Sequence, residues 1–171
     1  LETLRIHHPE AWKAEAFADE MAADIDATIV PVSDPVEAVS GSDVTVVAAT
    51  GSPPPKIEGS WLTDDCLVIP LGDLRTDLAA FDPGLIFCDI RRNTLEFAAH
   101  MDWQIMNALG AAVDYSIGSD VAESDLRALH EVIGGEDTAP TEGRSILYSP
   151  GLPMEDVAWA SHVYENAAEQ G

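Results

Sequence analysis

Two short stretches carry the residue types with which chemistry could be done. In the first, Thr50-Gly51-Ser52 follows the apolar run Val44-Thr45-Val46-Val47-Ala48-Ala49. Its hydroxyls can donate to and accept from a ligand's polar groups, and Gly51 lets the backbone come close. In the second, Leu71-Gly72-Asp73 follows Leu67-Val68-Ile69-Pro70. A carboxylate such as Asp73 on the floor of a crevice, partly desolvated, has its pKa raised toward the range where it serves as general acid and base. Plainer readings stand beside these. Residues 50–54 could be an ordinary surface turn, and Asp73 could cap the turn begun by Arg75, Thr76 and Asp77.

Other chemistry-bearing residues are less suggestive. Cys66 and Cys88 lie inside apolar stretches with no CxxC or metal-ligand spacing, as expected of core thiols. The adjacent His7 and His8 have no third ligand at a usable spacing, so no metal site is expected. Arg91-Arg92 after Asp89 reads as a pair that neutralises nearby carboxylates. His100, Asp102 and Trp103, and His162 beside Trp159 and Tyr164, read as packing or interface residues.

Both candidate loops would be positioned by an alternation of strands and helices. Residues 4–7 and 28–32 read as strands, separated by a helix that Pro9 opens and that carries Trp12, Ala16, Phe17, Met21 and Ile25 near one face. Asp34 caps a short helix with Val36 and Val39 that ends at Gly41. Residues 44–49, 67–69 and 85–87 are continuous apolar runs of the kind covered on both faces in a parallel sheet. Helical patterns follow at about 91–109 and 123–133, the latter stopped by Gly134; then come a strand at 145–148 and a last helix from Pro153 bearing Val157, Ala160, Tyr164 and Ala168. The sum is an α/β, doubly wound, mostly parallel sheet. In such a sheet ligands bind beyond the carboxyl ends of the strands, where residues 50–52 and 72–73 both lie.

Composition narrows the partners. The 171 residues include 31 acidic and 8 basic ones, a formal net charge of −23, and only two lysines, Lys13 and Lys56. Nucleic acid is therefore excluded as a partner. The carboxylates are spread along a chain that is 46% hydrophobic, which gives a folded body with an acidic skin. Salt adaptation accounts for that skin, and an acidic face for a basic partner is the competing account. No apolar run reaches the roughly 18 residues of a membrane span and no secretory leader opens the chain, so a cytoplasmic location is expected.

Three local patterns, in order, resemble the ornithine cyclodeaminase/mu-crystallin family. The first runs from Val36 through Ser42-Asp43 and the strand 44–49 to Thr50-Gly51-Ser52-Pro53-Pro54, then Gly59-Ser60-Trp61-Leu62. The second is Ile69-Pro70-Leu71-Gly72-Asp73, and the third runs from Ser149-Pro150-Gly151-Leu152-Pro153 through Met154-Glu155-Asp156 to Ala160. The resemblance covers nearly the whole chain. It implies a Rossmann-like fold that lacks its first strand and Gly-rich loop, with residues 1–150 an incomplete NAD(P)-binding domain and 151–171 the C-terminal helix of a dimerisation or substrate domain. It also implies NAD or NADP as cofactor, contacted by His7, Thr50, Gly51, Ser52, Leu71, Gly72, Pro150, Gly151 and Leu152, the turn 150–152 lying against the nicotinamide. In the cyclodeaminase branch the aspartate corresponding to Asp73 is the proposed acid/base.

The sequence departs from the family after Asp73, where Leu74-Arg75-Thr76-Asp77-Leu78 replaces a Pro-Gly-Lys segment. His7 and His8 stand where a Rossmann domain places an acid for the ribose 2′-hydroxyl or basic groups for a 2′-phosphate, and they choose neither. A family member also has an N-terminal half with a substrate-binding Arg and Lys, the first Rossmann strand and G-x-G-x-x-G, none of which occurs here. The expectation is thus a fragment, or the product of a truncated gene, that is inactive alone. In full length it would be a homodimeric oxidoreductase or deaminase acting on a small amino or imino acid. The rival expectation is a non-catalytic, crystallin-like ligand-binding or assembly subunit.

Overall fold

The computed structural model describes residues 1–49, 55–71, 74–76, 80–82, 84–89, 91, 126–138, 142–148 and 153–170. Within these, strands β1 (Thr3–His7) and β2 (Thr28–Val32) flank helix α1 (Ala11–Met21), and helix α2 (Pro35–Val39) leads to β3 (Val44–Val47). A 3-10 turn at Gly59–Trp61 precedes β4 (Cys66–Pro70). Then come β5 (Ile86–Cys88), β6 (Leu126–Ala128), helix α3 (Leu129–Gly134), β7 (Arg144–Tyr148) and helix α4 (Pro153–Gln170). β1 and β2 form a two-stranded sheet, and the other five strands form a second in the order β3-β4-β7-β5-β6. All described pairs are parallel. The fold is α/β with parallel sheets and a C-terminal helix, as the strand and helix alternation requires.

Local chemistry explains several boundaries. The Asp34 carboxylate accepts from the Val36 N–H at 2.9 Å and Pro35 occupies the first turn, so α2 starts where the sequence places its cap. Gly41 then takes φ +73°, a left-handed conformation that glycine adopts without strain. In α1, by contrast, Trp12, Ala16 and Phe17 are exposed, and Ala14, Ala18, Met21 and Ile25 form the covered stripe instead. Small alanines let the helix backbone approach the sheet, which the larger aromatic residues would hold off. The helix begins after Glu10, so Pro9 lies just outside it.

The second correction concerns residues 126–128, which are strand β6 and not helix. Leu126 and Ala128 are each 1% exposed and pair in register with Ile86 and Cys88. Only from Leu129 does the chain become helical, and Gly135 at φ +76° ends α3 with an N–H donated back to Glu131 and Val132. The helical pattern at 91–109 lies almost wholly outside the described residues.

The core lies under the five-stranded sheet, where Val68, Leu74, Cys88 and Leu126 are at most 1% exposed. Burying a leucine side chain of this kind contributes roughly 1.5–3 kcal/mol. Both cysteines are free and buried, and burial pushes the Cys66 thiol up, as expected of inert core residues. α4 stands apart from this core, with Val157, Trp159, Val163 and Tyr164 between 60% and 76% exposed. Trp159 and His162 meet edge to face at 6.0 Å.

A candidate cofactor-facing edge

The register of β3 and β4 brings the two candidate loops to one edge. Val47 pairs with Pro70 at the carboxyl ends of the strands, and the Leu71 N–H donates to the Val47 carbonyl at 2.9 Å. The chain re-pairs on the far side of both loops. Lys56 forms a parallel bridge with Arg75, in which the Arg75 N–H donates to Pro55 O at 2.8 Å and the Ile57 N–H to Arg75 O at 2.9 Å. The segments containing residues 50–54 and 72–73 are therefore pinned together at both of their ends.

Thr50, Gly51, Ser52, Gly72, Asp73, Pro150, Gly151 and Leu152 themselves lie outside the described residues. Of the expected contact residues, Leu71 is 66% exposed just past β4, and His7 is half-buried at the end of β1. The chain then passes from exposed Leu71 to Leu74, which is 0% exposed, within three residues. The described residues on either side of Gly72-Asp73 are thus a solvent-facing leucine and a core-anchored one. Thr76, 7% exposed, has a hydroxyl with no hydrogen-bond partner among the described residues.

A well-formed cavity among the described residues lies elsewhere. It holds about 390 Å³ and is lined by Asp43, Asp65, Cys66, Leu85, Phe87 and Gly143, among others. Five of these residues precede or begin strands, so the cavity sits toward their amino ends, opposite the carboxyl ends of β3 and β4. Its position gives no support to chemistry at Asp73.

Sequence reasoning assigned Arg91 to charge neutralisation, and this holds: its guanidinium pairs with both carboxylate oxygens of Glu131 while Nε donates to Leu126 O at 2.7 Å. It missed the corresponding role of Arg127, which grips both Asp137 oxygens at 2.7 Å and donates to the carbonyls of Gly84 and Thr138. It also missed Arg144, which donates to Thr63 O, Leu62 O and Asp64. The scarcity of cations in so acidic a chain was the available signal. Arg127 and Arg144 tie their strands to loops, and Arg91, just past β5, ties that end to β6 and α3.

The hydrogen bond from Arg91 holds the Glu131 carboxyl below its usual value of 4.5. A group whose pKa falls on folding stabilises the fold above its unfolded value and loses that contribution as pH falls through the folded one. Wild-type protein is therefore expected to melt higher than Arg91→Met at neutral pH, the difference shrinking on acidification below about 4.5. Thermal melts of the two proteins that stay parallel across that range would refute the role.

The parallel β/α layer, with loops gathered past the carboxyl ends of its strands, defines a Rossmann-like fold. The family model for the ornithine cyclodeaminase/mu-crystallin family matches residues 1–171, and the chain belongs to that family. Among solved structures it is similar to the Thermococcus litoralis Delta(1)-pyrroline-2-carboxylate reductase in complex with NADH and L-proline. There the TM-score is 0.70 at 19% identity, over 99% of this chain and 51% of that one. It is also similar to the iminosuccinate reductase of Paracoccus denitrificans in complex with NAD+ (TM-score 0.70, 20% identity, 99% and 50% covered). A third likeness is to a probable ornithine cyclodeaminase from Bordetella pertussis Tohama I (TM-score 0.68, 22% identity, 99% and 52% covered). The chain spans about half the length of these structures. No curated protein matches it. Among the described residues no helix is long and apolar enough to cross a membrane, and no group of three or more potential metal ligands occurs.

Proposed function

We propose that this chain is most of the dinucleotide-binding part of an NAD- or NADP-dependent oxidoreductase or deaminase of the ornithine cyclodeaminase type, acting on a small amino or imino acid. The observation that supports the reading is the pairing of the described residues on both sides of 50–54 and of 72–73, Val47 with Pro70 and Lys56 with Arg75, at the carboxyl ends of β3 and β4. The complexes of the neighbours with NADH and NAD+ support it. Thr50 and Ser52 would bond ribose or amide groups, and Gly51 and Gly72 would admit the cofactor closely. Leu71 and the turn Pro150-Gly151-Leu152 would pack against its rings, with His7 toward the adenosine end. The dinucleotide would supply or accept the hydride. Asp73 would hold the proton exchanged with water or the substrate amine.

Residues 151–171 would belong to a second domain shared with polypeptide outside the matched half. A homodimer in the cytoplasm is the assembly we assign to the whole protein. The missing Pro-Gly-Lys after Asp73 favours one alternative, a crystallin-like subunit that binds a small ligand without turnover. Titration of a family-length protein containing this chain with NADH and NADPH, followed by nicotinamide fluorescence, separates the readings. Saturable binding of either is expected, and binding of neither leaves the non-catalytic reading in its place.

A further inference from the structure

The five-stranded sheet has a second face. On β4, β7 and β5 the core side chains are Val68, Ile146, Ile86 and Cys88, and the residues alternating with them, Leu67, Ser145, Leu147 and Phe87, point the other way. Those four, with Leu85 and with Leu129 at the start of α3, wall the cavity of about 390 Å³. Its volume lies in the range of small-molecule sites, which are mostly apolar with a few convergent polar groups.

The charged groups of this lining share one sign. Asp43 immediately precedes β3, Asp65 immediately precedes β4, and Glu142 and Gly143 lead into β7, so three carboxylates stand at the amino ends of three adjacent strands. Neighbouring strands lie about 4.8 Å apart, which sets the three positions within roughly 10 Å across the sheet. Asp65 Oδ1 accepts the Gly143 N–H at 3.0 Å, while the Asp43 and Glu142 side chains make no hydrogen bond or ion pair with a described residue. Ser145 Oγ is already used, donating to Cys66 O at 2.9 Å, and burial pushes the Cys66 thiol up, so it stays neutral. The arginines of β6 and β7 are bound elsewhere. Arg144 shares the register of the core side and is held by Thr63 O, Leu62 O and Asp64. Arg127, in register with Phe87, is held by both Asp137 oxygens and by Gly84 O. Carboxylates set this close repel one another, and a cation among them removes the repulsion.

We propose that this cavity binds a lipophilic amine in its ammonium form, with a flat apolar body along Leu67, Leu147 and Phe87 and the charged end facing Asp43, Asp65 and Glu142. Phe87 offers an aromatic ring to that body, and the leucines bury its edges. A neutral molecule of the same shape gains the apolar contact alone, and an anionic one meets the carboxylates as like charges, so the rim selects by sign. A second copy of this chain is the wrong occupant, because it brings a like charge of −23. The cavity lies at the amino ends of the strands, so the inference is independent of the dinucleotide reading at their carboxyl ends.

The test is titration of the isotope-labelled 171-residue chain with tryptamine at fixed ionic strength, followed by amide NMR shifts. Tryptophol, with a hydroxyl in place of the ammonium, and indole propionate, with a carboxylate, are the comparators. Saturable shifts centred on Leu67, Phe87, Ser145 and Leu147 are expected. Tryptamine should bind about tenfold or more tighter than tryptophol, the effect of one hydrogen bond to a charged group, and indole propionate weaker than either. Asp43→Asn combined with Glu142→Gln changes two exposed side chains, and should bring tryptamine to the affinity of tryptophol while leaving tryptophol unchanged. Glu15→Gln with Glu20→Gln on α1 removes the same net charge away from the cavity, and should keep the preference intact. Equal binding of tryptamine and tryptophol, shifts centred elsewhere, an equal loss in the α1 variant, or no saturable shift with any of the three compounds overturns the proposal.

Discussion

Changing Asp73 to asparagine in a family-length protein is expected to lower turnover about 10²-fold or more, the usual contribution of a positioned general acid/base. Dinucleotide affinity should stay nearly unchanged. The expectation rests on what frames the residue. Leu71 is fastened by its N–H to Val47 O, and Leu74 is sunk in the core, so the described residues on both sides of Gly72-Asp73 are held in place. Asparagine keeps the shape and the hydrogen-bonding capacity but cannot take up a proton at working pH. A loss confined to kcat, with the dinucleotide Kd preserved, would separate acid/base work from a structural capping role. Capping alone would show instead as a lower Tm with turnover per folded molecule intact. Equal turnover in wild type and Asp73→Asn would remove the residue from the mechanism.

A second large effect is expected from salt. Of the described carboxylates, Glu2, Glu15, Asp19, Glu20, Asp24, Asp26, Asp34, Glu37, Asp43 and others on the connecting segments and the C-terminal helix are exposed. The described cations are largely committed to local partners, with Lys13 on Glu10, Lys56 on Glu58, Arg91 on Glu131, Arg127 on Asp137 and Arg144 on Asp64. What remains is a surface whose net charge of −23 repels itself. At molar salt the Debye length shrinks to about 3 Å, and repulsion between carboxylates farther apart than that is screened. Should screening return about 3 kcal/mol, Tm would rise by roughly 6–12 °C for a chain of this size. Melts in dilute buffer and in molar potassium chloride measure it directly, and coincident curves would reject salt adaptation as the reason for the acidic skin. Exposed surface pairs weaken in salt, so they oppose this trend, but each is worth under about 1 kcal/mol.

What the sequence determined by itself is local and periodic. Short apolar runs of three to six residues set most of the strands, and Asp34-Pro35 set the start of α2, because caps and β-branched runs act through the few residues beside them. The acidic excess told in advance that an arginine such as Arg91 would be bound to a carboxylate. Beyond that reach the tertiary structure decided. Periodicity put Trp12, Ala16 and Phe17 on the inner face of α1, and docking on β1 and β2 chose the face with Ala14 and Ala18 instead. Residues 126–128 are too few to show a period of two against the helix that follows, and the pairing with β5, some forty residues away in sequence, made them a strand. The placing of β7 between β4 and β5, the bridge between Lys56 and Arg75, and the strut from Arg5 to the end of α2 are likewise contacts between distant segments. No local propensity encodes them, because their free energy exists only once both partners are in place.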